Sequence, residues 1–541
     1  MSWPDPVPFR VRRERHFGNR IVTCFADRPP HLDALFREAL AARPGAEAQV
    51  LGGERVTYKH LDTQVDRIAG RLAALGVAKG DRVALSLTNR LEFLPLVLAC
   101  ARLGAISVPL NVRMRRPEND HVLRDSGAKV LVYEAAGAEE IPDGLPDLEH
   151  RFSCGGQLQV ACPFGDLLVP GAPPPATAIT EEDPCALLYT SGTTGRPKGA
   201  ILTHLNVVHS AMHYQVCFRY RGGERAILAV PASHVTGLVA VFAAMLRVGG
   251  CTVVMPAFNA RAFLELAAAE RMTSAILVPA MYSLCLMDPE FDRFDLSVWR
   301  IGGYGGAPMP EAVIAELGRR LPALTLANAY GATETTSPAT LMPPDQTATH
   351  ADSVGRVVPC GELAVMDESG REVHPGQSGE IWIKGPMVVP GYWNNPQATA
   401  VAFVNGFWRS GDVGSMDAEG YVRVFDRLKD MINRAGYKVY SVEVENVLMA
   451  HPDIVEAAVV GRPDPVLGER VHAVVVPRAD VNAATLPGAL KAFCAQRLSD
   501  YKVPETFTVV PGPLPRNANG KLLKTELRAH LPDPVAPGAG R

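Results

Sequence analysis

Tyr189–Ala200 reads YTSGTTGRPKGA and directly follows the apolar run Ala186–Leu188. It concentrates three glycines, four Ser/Thr hydroxyls and one lysine. Glycine lets backbone approach a ligand closely, hydroxyl and amide groups donate to anionic oxygens, and Lys198 supplies counter-charge, so the composition predicts a polyphosphate loop. It is not a Walker A loop, because Gly199 and Ala200 follow Lys198 where that motif ends in Ser or Thr. Gly302–Gly306 (GGYGG) is not a dinucleotide fingerprint either, since the third glycine of GxGxxG counted from Gly303 falls on Pro308. Both common nucleotide folds are therefore disfavoured.

Working outward, Arg55 to Tyr133 alternates amphipathic helices, such as Tyr58–Leu75, with short apolar strands, such as Arg82–Leu87 and Ala105–Pro109. Ala226–Leu246 lacks Asp, Glu, Lys and Arg, but Pro231, Ser233, His234 and Gly237 interrupt it. That predicts a buried strand, a loop and a helix in place of a membrane span. Past Gly361 come short strands at Glu362–Met366, Gly379–Lys384 and Tyr421–Phe425. Past Arg427 alternation returns, with helices at Ser441–Ala450 and Pro487–Leu498 and strands at Val455–Val460 and Ala473–Val476. The expected fold class is α/β: a large N-terminal domain (1–426) of α/β sub-domains plus a β-rich sub-domain, then a small α+β C-terminal domain (427–531). The Pro-, Gly- and Ala-rich end, 532–541, is expected to be disordered.

Composition bounds the function. The 541 residues are 47% apolar and 21% charged, as in a globular protein of several folding units. With 54 basic against 57 acidic residues, the formal charge of -3 gives no field for gathering nucleic acid or anionic membrane. Ten cysteines without a CxxC pair or zinc spacing predict free thiols in a reducing compartment. Met1–Phe17 shows no signal-peptide pattern, so the cytoplasm is the expected location.

Six motifs occur in order: YTSGTTGRPKG, YGGAPMP at Tyr304–Pro310, YGATET at Tyr330–Thr335, WRSGD at Trp408–Asp412, DRLKD at Asp426–Asp430 and LPRNANGKLLK at Leu514–Lys524. Together they resemble the adenylate-forming superfamily of acyl-CoA synthetases, luciferases and peptide-synthetase adenylation domains. RLGAISVPLN at Arg102–Asn111 is similar to an earlier structural motif of that family. The resemblance implies ATP, Mg2+ and coenzyme A, and a reaction in two halves. A carboxylate attacks the ATP α-phosphate, giving acyl-adenylate and pyrophosphate, and a thiol then displaces AMP.

By the same resemblance Thr190, Ser191, Gly192, Thr193, Thr194, Gly195 and Lys198 embrace the phosphates, and Thr333 contacts phosphate. Glu334, with Thr193, binds Mg2+, for which one carboxylate suffices because this ion keeps waters and substrate phosphates. Gly305, Gly306, Ala307 and the strand end Asn328, Ala329, Tyr330, Gly331 and Ala332 are implied for adenine, with Tyr330 stacking. Asp412 accepts from the ribose hydroxyls and Arg427 adds a charged donor. The implied catalytic set is Lys521, the adenylation lysine, with Glu334, Thr194 and His234. Lys429 is the implied hinge of a mobile C-terminal domain, and Gly436 in NRAGYK leaves room for the pantetheine arm. Ala435 and Gly436 replace the family's usual glycine pair there.

The implied acyl pocket is walled by His234, Val235, Thr236, Val239, Met281, Tyr304, Thr335 and Pro338. His234 is read as a gate and not as a general base, because a carboxylate nucleophile is already ionised near neutral pH. No Arg or Lys occurs in 226–246 or 326–350 to pair a second carboxylate, and no Asp stands near His234 to hold an amino group. An apolar fatty or aromatic monocarboxylate is favoured. Loading of a carrier-protein thiol and an inactive nucleotide-binding scaffold remain as alternatives. A luciferase-like oxygenase is disfavoured by Asn433, where that subgroup carries lysine. The expected partners are a small carboxylic acid and CoA, without nucleic acid or an integral membrane segment, in a monomer or homodimer.

Overall fold

The computed structural model describes residues 3, 7–190, 196–479, 481–516 and 522–531. The tail expected to be disordered, 532–541, lies outside the described residues. Packing divides the chain into two units. The first comprises Met1–Ala364, Trp382–Arg409 and Asp417–Val422; the second comprises Val365–Ile381, Ser410–Met416 and Arg423–Arg541.

In the first unit a seven-stranded sheet runs in the order Lys198–Thr203, Pro184–Thr190, Ile106–Leu110, Arg82–Ser86, Val130–Glu134, His150–Cys154, Cys162–Pro163. Its strands are parallel except for the hairpin formed by the first two. A nine-stranded sheet has a parallel centre, Thr325–Tyr330, Ile301–Tyr304, Ser274–Leu277, Arg225–Leu228, Cys251–Val254 and Glu47–Leu51, with antiparallel strands at both ends.

The helices follow from the pattern. Thr57 caps Tyr58–Ala74 by accepting from the His60 amide, and Leu61, Val65, Ile68 and Leu72 fall on its buried stripe. Phe93–Leu103 is buried along its whole length and stops at Gly104, whose φ of 70° suits glycine. Its one charge, Arg102, is buried against Asp33 and reaches Asp62 and Asp66, tying this helix to Leu32–Ala42 and Tyr58–Ala74.

Ala226–Leu246 contains the expected strand, Arg225–Leu228, and then a helix, but that helix is wound as π over Thr236–Ala243 before becoming α at Ala244–Val248. Among the described residues, no helix is long and apolar enough to cross a membrane. None of the ten cysteines forms a disulfide.

The second unit has a sheet ordered Tyr437–Val439, Ile432–Arg434, Gly468–Pro477, Ile454–Asp464, with Thr506–Val509 added parallel to Gly468–Pro477. Ser441–Met449 and Leu486–Ala495 pack Val444, Leu448, Leu490 and Cys494 into its core. The central strands outrun the predicted Val455–Val460 and Ala473–Val476. Their hairpin ladder continues through polar pairs, Arg462↔Arg470 to Asp464↔Gly468, which an apolar pattern does not mark.

Candidate active site

The predicted phosphate loop closes a β-hairpin, in which Thr190 pairs with Lys198 and Tyr189 with Gly199. Ser191, Gly192, Thr193, Thr194 and Gly195 lie outside the described residues. The base of the loop is fixed from three sides. The Tyr189 hydroxyl donates to Asp125 Oδ2 at 2.6 Å, Asn394 Nδ2 donates to the Asp125 carbonyl at 2.9 Å, and His121 Nε2 donates to the Pro197 carbonyl at 2.8 Å. Gly199 is required because a Cβ there would stand 2.9 Å from the Tyr189 ring.

The segments carrying YGGAPMP and YGATET leave the carboxyl ends of the adjacent parallel strands Ile301–Tyr304 and Thr325–Tyr330, where open α/β sheets bind ligands. Two glycines there answer to the protein's own backbone. A Cβ on Gly305 would lie 2.3 Å from the Ala329 carbonyl oxygen, and one on Gly331 would lie 1.6 Å from that of Ser337. Gly306 takes a φ of 80°. Asn328 is buried and donates to the Ser353 carbonyl, while Thr336 and Ser337 adopt φ of 51° and 91°, turning the chain sharply after Glu334. Such backbone is costly and clusters at functional sites.

Glu334 is buried in that turn, beside the buried Thr333. The Tyr392 hydroxyl donates to its Oε1 at 2.8 Å, and the Val389 amide donates to its backbone carbonyl at 3.0 Å. Among the described residues no ammonium or guanidinium is ion-paired with it. Lys198 Nζ stands 4.8 Å from the centroid of the same Tyr392 ring. One tyrosine thus touches both a cation from the phosphate hairpin and the carboxylate of YGATET. Burial, and then the Glu334 charge, push the Tyr392 phenol well above its ordinary range, so it stays a donor. A buried carboxylate that receives only a neutral hydrogen bond suits a hard divalent cation, so Glu334 fits Mg2+.

His234 is half-buried. Its Nδ1 accepts from the Thr236 amide at 3.3 Å and lies 3.1 Å from Thr236 Oγ1, and burial lowers its pKa. A ring kept neutral with Nδ1 as acceptor suits a gate or wall. Val235 and Val239 are buried on the same element. Tyr304 is only 1% exposed and packs with Tyr282 and Trp299 in the core, with Met281 at that cluster's edge. The Thr335 hydroxyl is occupied by its own turn, donating to the Ala332 and Ser337 carbonyls and accepting from the Ala332 amide. Pro338 is buried next to that turn.

In the second unit, Arg427 Nε lies 2.7 Å from Asp412 Oδ1, so a guanidinium already opposes this buried carboxylate. The expected hinge is tethered to helix Lys524–His530, since Arg528 donates to the Lys429 carbonyl at 3.4 Å and to Asp430 at 3.1 Å. Next to it, Asp426 accepts from the Ser441 amide and hydroxyl at 2.5 and 2.6 Å, and Lys524 bonds Ser441 and Glu445. Gly436 has φ 87° with nothing within 4 Å of a hypothetical Cβ. Ala435 also lies in the left-handed region, at φ 52°, which explains a glycine preference at that position. Gly436 lines an open concavity of about 510 Å³ with Asn433 and Val466–Glu469. Lys521 lies outside the described residues.

Sequence reading missed Tyr392 and its neighbour Trp408, which sit far from Glu334 along the chain. The only cue was an aromatic pair, Tyr392–Trp393, in the turn after Pro390 and Gly391. Elsewhere, Glu14, His16 and Cys24 bring ligand atoms within 4.8 Å of one another. Arg12 and Arg28 already hold Glu14, and burial pushes the Cys24 thiol up to about 12, so the group is an ion-pair cluster and not a metal centre.

Comparison with known proteins agrees with this geometry. The family model described as AMP-binding enzyme matches residues 36–393, and that of the AMP-binding enzyme C-terminal domain matches 443–521. The chain is 38% identical over 486 residues to a feruloyl-CoA synthase of Amycolatopsis sp, covering 90% of this chain and 96% of the relative. It is 37% identical over 483 residues to the long-chain-fatty-acid–CoA ligase FadD13 of Mycobacterium tuberculosis, covering 88% and 93%. O-succinylbenzoate coenzyme A synthetase from Bacillus subtilis, solved in complex with ATP and magnesium ion, superimposes with a TM-score of 0.81 at 30% identity, covering 92% of this chain and 98% of that one. With the six motifs in order and the two family models accounting for most of its length, the chain belongs to the AMP-binding enzyme family, as an AMP-forming acid–thiol ligase.

Proposed function

We propose that this enzyme activates an apolar monocarboxylic acid, fatty or aromatic, with ATP and transfers the acyl group to coenzyme A. The observation that carries the reading is the buried Glu334 carboxylate, ion-paired with no cation among the described residues and joined through Tyr392 to Lys198, at the carboxyl ends of two parallel strands. In the first half-reaction the acid's carboxylate oxygen bonds to the α-phosphorus and pyrophosphate leaves with the electron pair of the broken P–O bond. Lys198 opposes the phosphate charge, Glu334 holds Mg2+, which lowers the cost of charge on the phosphates, and Thr193, Thr194 and Lys521 act on the same groups. Asp412, its charge met by Arg427, receives the neutral ribose hydroxyls. In the second half-reaction the CoA sulfur bonds to the acyl carbon and AMP departs. Gly436 borders the pantetheine path and Lys429 serves as hinge between domains 1–426 and 427–531.

An apolar acid is supported by the uncharged stretch Ala226–Leu246, the neutral His234 and the buried Val235 and Val239. Of the proteins named above, the feruloyl-CoA synthase and the long-chain-fatty-acid–CoA ligase are named for an aryl acid and for fatty acids, in keeping with either apolar class. We place the enzyme in the cytoplasm, as a monomer or homodimer. The test is production of AMP and thioester with ATP and Mg2+ across fatty, aryl and dicarboxylic acids, with and without CoA. CoA-dependent thioester from fatty or aryl acids is expected; turnover confined to dicarboxylic acids, or acyl-adenylate without CoA transfer, overturns the reading.

A further inference from the structure

The Tyr392 hydroxyl does more than fill space. It is buried and donates to Glu334 Oε1 at 2.8 Å. This bond has one direction, from the Tyr392 phenol to the Glu334 carboxylate. It commits Oε1 to a neutral donor and fixes the plane of the carboxylate. The remaining oxygen is left for a small cation that favours single oxygens in strict geometry.

The backbone around the ring is equally determined. Tyr392 bridges to Ala200, the Trp393 amide donates to the Gly199 carbonyl at 2.7 Å, the Tyr392 amide donates to Thr399 Oγ1 at 2.9 Å, and Phe403 meets the ring edge-on at 5.6 Å. Lys198 lies over the face of this ring. A cation above an aromatic face gains from the ring's quadrupole, which limits where its flexible stem wanders.

We infer that Tyr392 is a positioning residue of the adenylation site: its hydroxyl sets Glu334 for the divalent cation and its ring sets Lys198 for the phosphates. The inference rests on Glu334 being the metal carboxylate, as proposed above. Hydrogen bonds to ligating carboxylates typically change metal affinity by about 10–100-fold when removed, which sets the expected scale. The two functions reside in different atoms of one side chain, so substitution separates them. Tyr392→Phe deletes only the hydroxyl, whereas Tyr392→Leu deletes the ring as well.

The experiment titrates Mn2+ by electron paramagnetic resonance into the full-length protein saturated with α,β-methylene ATP, and measures affinity for that nucleotide in EDTA by calorimetry. Tyr392→Phe is expected to weaken Mn2+ by about tenfold while leaving metal-free nucleotide affinity within about twofold. Tyr392→Leu is expected to weaken both. Phe403→Leu, which alters packing on the ring without touching the hydrogen bond, is expected to leave Mn2+ affinity unchanged. Wild-type Mn2+ affinity in Tyr392→Phe, alongside its loss in Glu334→Gln, overturns the positioning role while the metal assignment stands. Retention in Glu334→Gln overturns both, and equal weakening by Phe403→Leu and Tyr392→Phe reduces Tyr392 to packing.

Discussion

Glu334 and Asp412 are both buried carboxylates, 8% and 6% exposed, yet the two units hold them by opposite means. Glu334 receives a hydrogen bond from an uncharged phenol, which brings no opposite charge to a carboxylate held in a poorly solvated place. That is expensive unless a cation arrives. Asp412 has Arg427 at 2.7 Å and has its charge met before any ligand binds, which leaves it suited to neutral hydroxyl donors. On the roles proposed above, the choice of partner, more than burial, separates a carboxylate for a metal from one for a sugar. The glycines differ in parallel. Gly331 is glycine because a carbonyl occupies the place of its Cβ, and Gly436 because its φ is positive in open space.

The sharpest break would come from removing charge alone. Glu334→Gln keeps an acceptor for Tyr392 but is expected to slow acyl-adenylate formation by about 100- to 1000-fold at saturating ATP. Asp412→Asn is expected to raise the KM for ATP by about tenfold, with kcat changed far less. Equal losses of kcat in pre-steady-state pyrophosphate release would erase the distinction. The glycine contrast comes next. Gly331→Ala is expected to lose about 3 kcal/mol or more in urea denaturation, because the new methyl meets backbone. Gly436→Ala is expected to lose only about 1 kcal/mol, the ordinary cost of left-handed backbone.

Acid sharpens the comparison between units. In helix His204–Cys217 of the first unit, burial lowers the pKa of His204 and His213 to about 3, and that of His209 well below its usual value. The second unit has His472, lowered to about 4. A buried histidine with a depressed folded pKa binds its proton more readily when unfolded. Its contribution is therefore complete above pH 6.5 and is lost as pH falls from there toward the folded value. At pH 5.5 each such group costs on the order of 1.4 kcal/mol. All five tryptophans, Trp3, Trp299, Trp382, Trp393 and Trp408, belong to the first unit, so tryptophan fluorescence follows that unit alone. Its urea midpoint is expected to fall markedly between pH 7.5 and 5.5; an unchanged midpoint would contradict the burial of neutral imidazoles. The smallest effect is Ala435→Gly, expected to stabilise by less than about 1 kcal/mol because it relieves a φ of 52°, read as a raised melting temperature.

The parts of this site readable in advance were those where composition states the chemistry. The hydroxyls, glycines and lysine of Tyr189–Ala200 mark that stretch for the phosphate role proposed above, and alternating apolar runs declare parallel sheet. Tyr392 was not readable, because its role exists only where a distant turn brings its hydroxyl to Glu334. The resemblance implies Gly305 and Gly331 for adenine; that the Ala329 and Ser337 carbonyls also stand where their Cβ atoms would go is visible only in the fold. The π winding of Thr236–Ala243 was hidden for another reason. That helix is buried on nearly all sides, so no polar face marks its period.

That winding has an evolutionary consequence. A π segment differs from an α segment by a locally inserted residue, so losing a single codon within Thr236–Ala243 is a natural way back to regular α geometry. Each helical residue accounts for about 100° of rotation, so such a deletion would re-aim Val235, Thr236 and the adjoining His234 against the rest of the helix. A one-residue deletion in this helix would thus shift several side chains of the proposed acyl wall at once, where a side-chain exchange alters one.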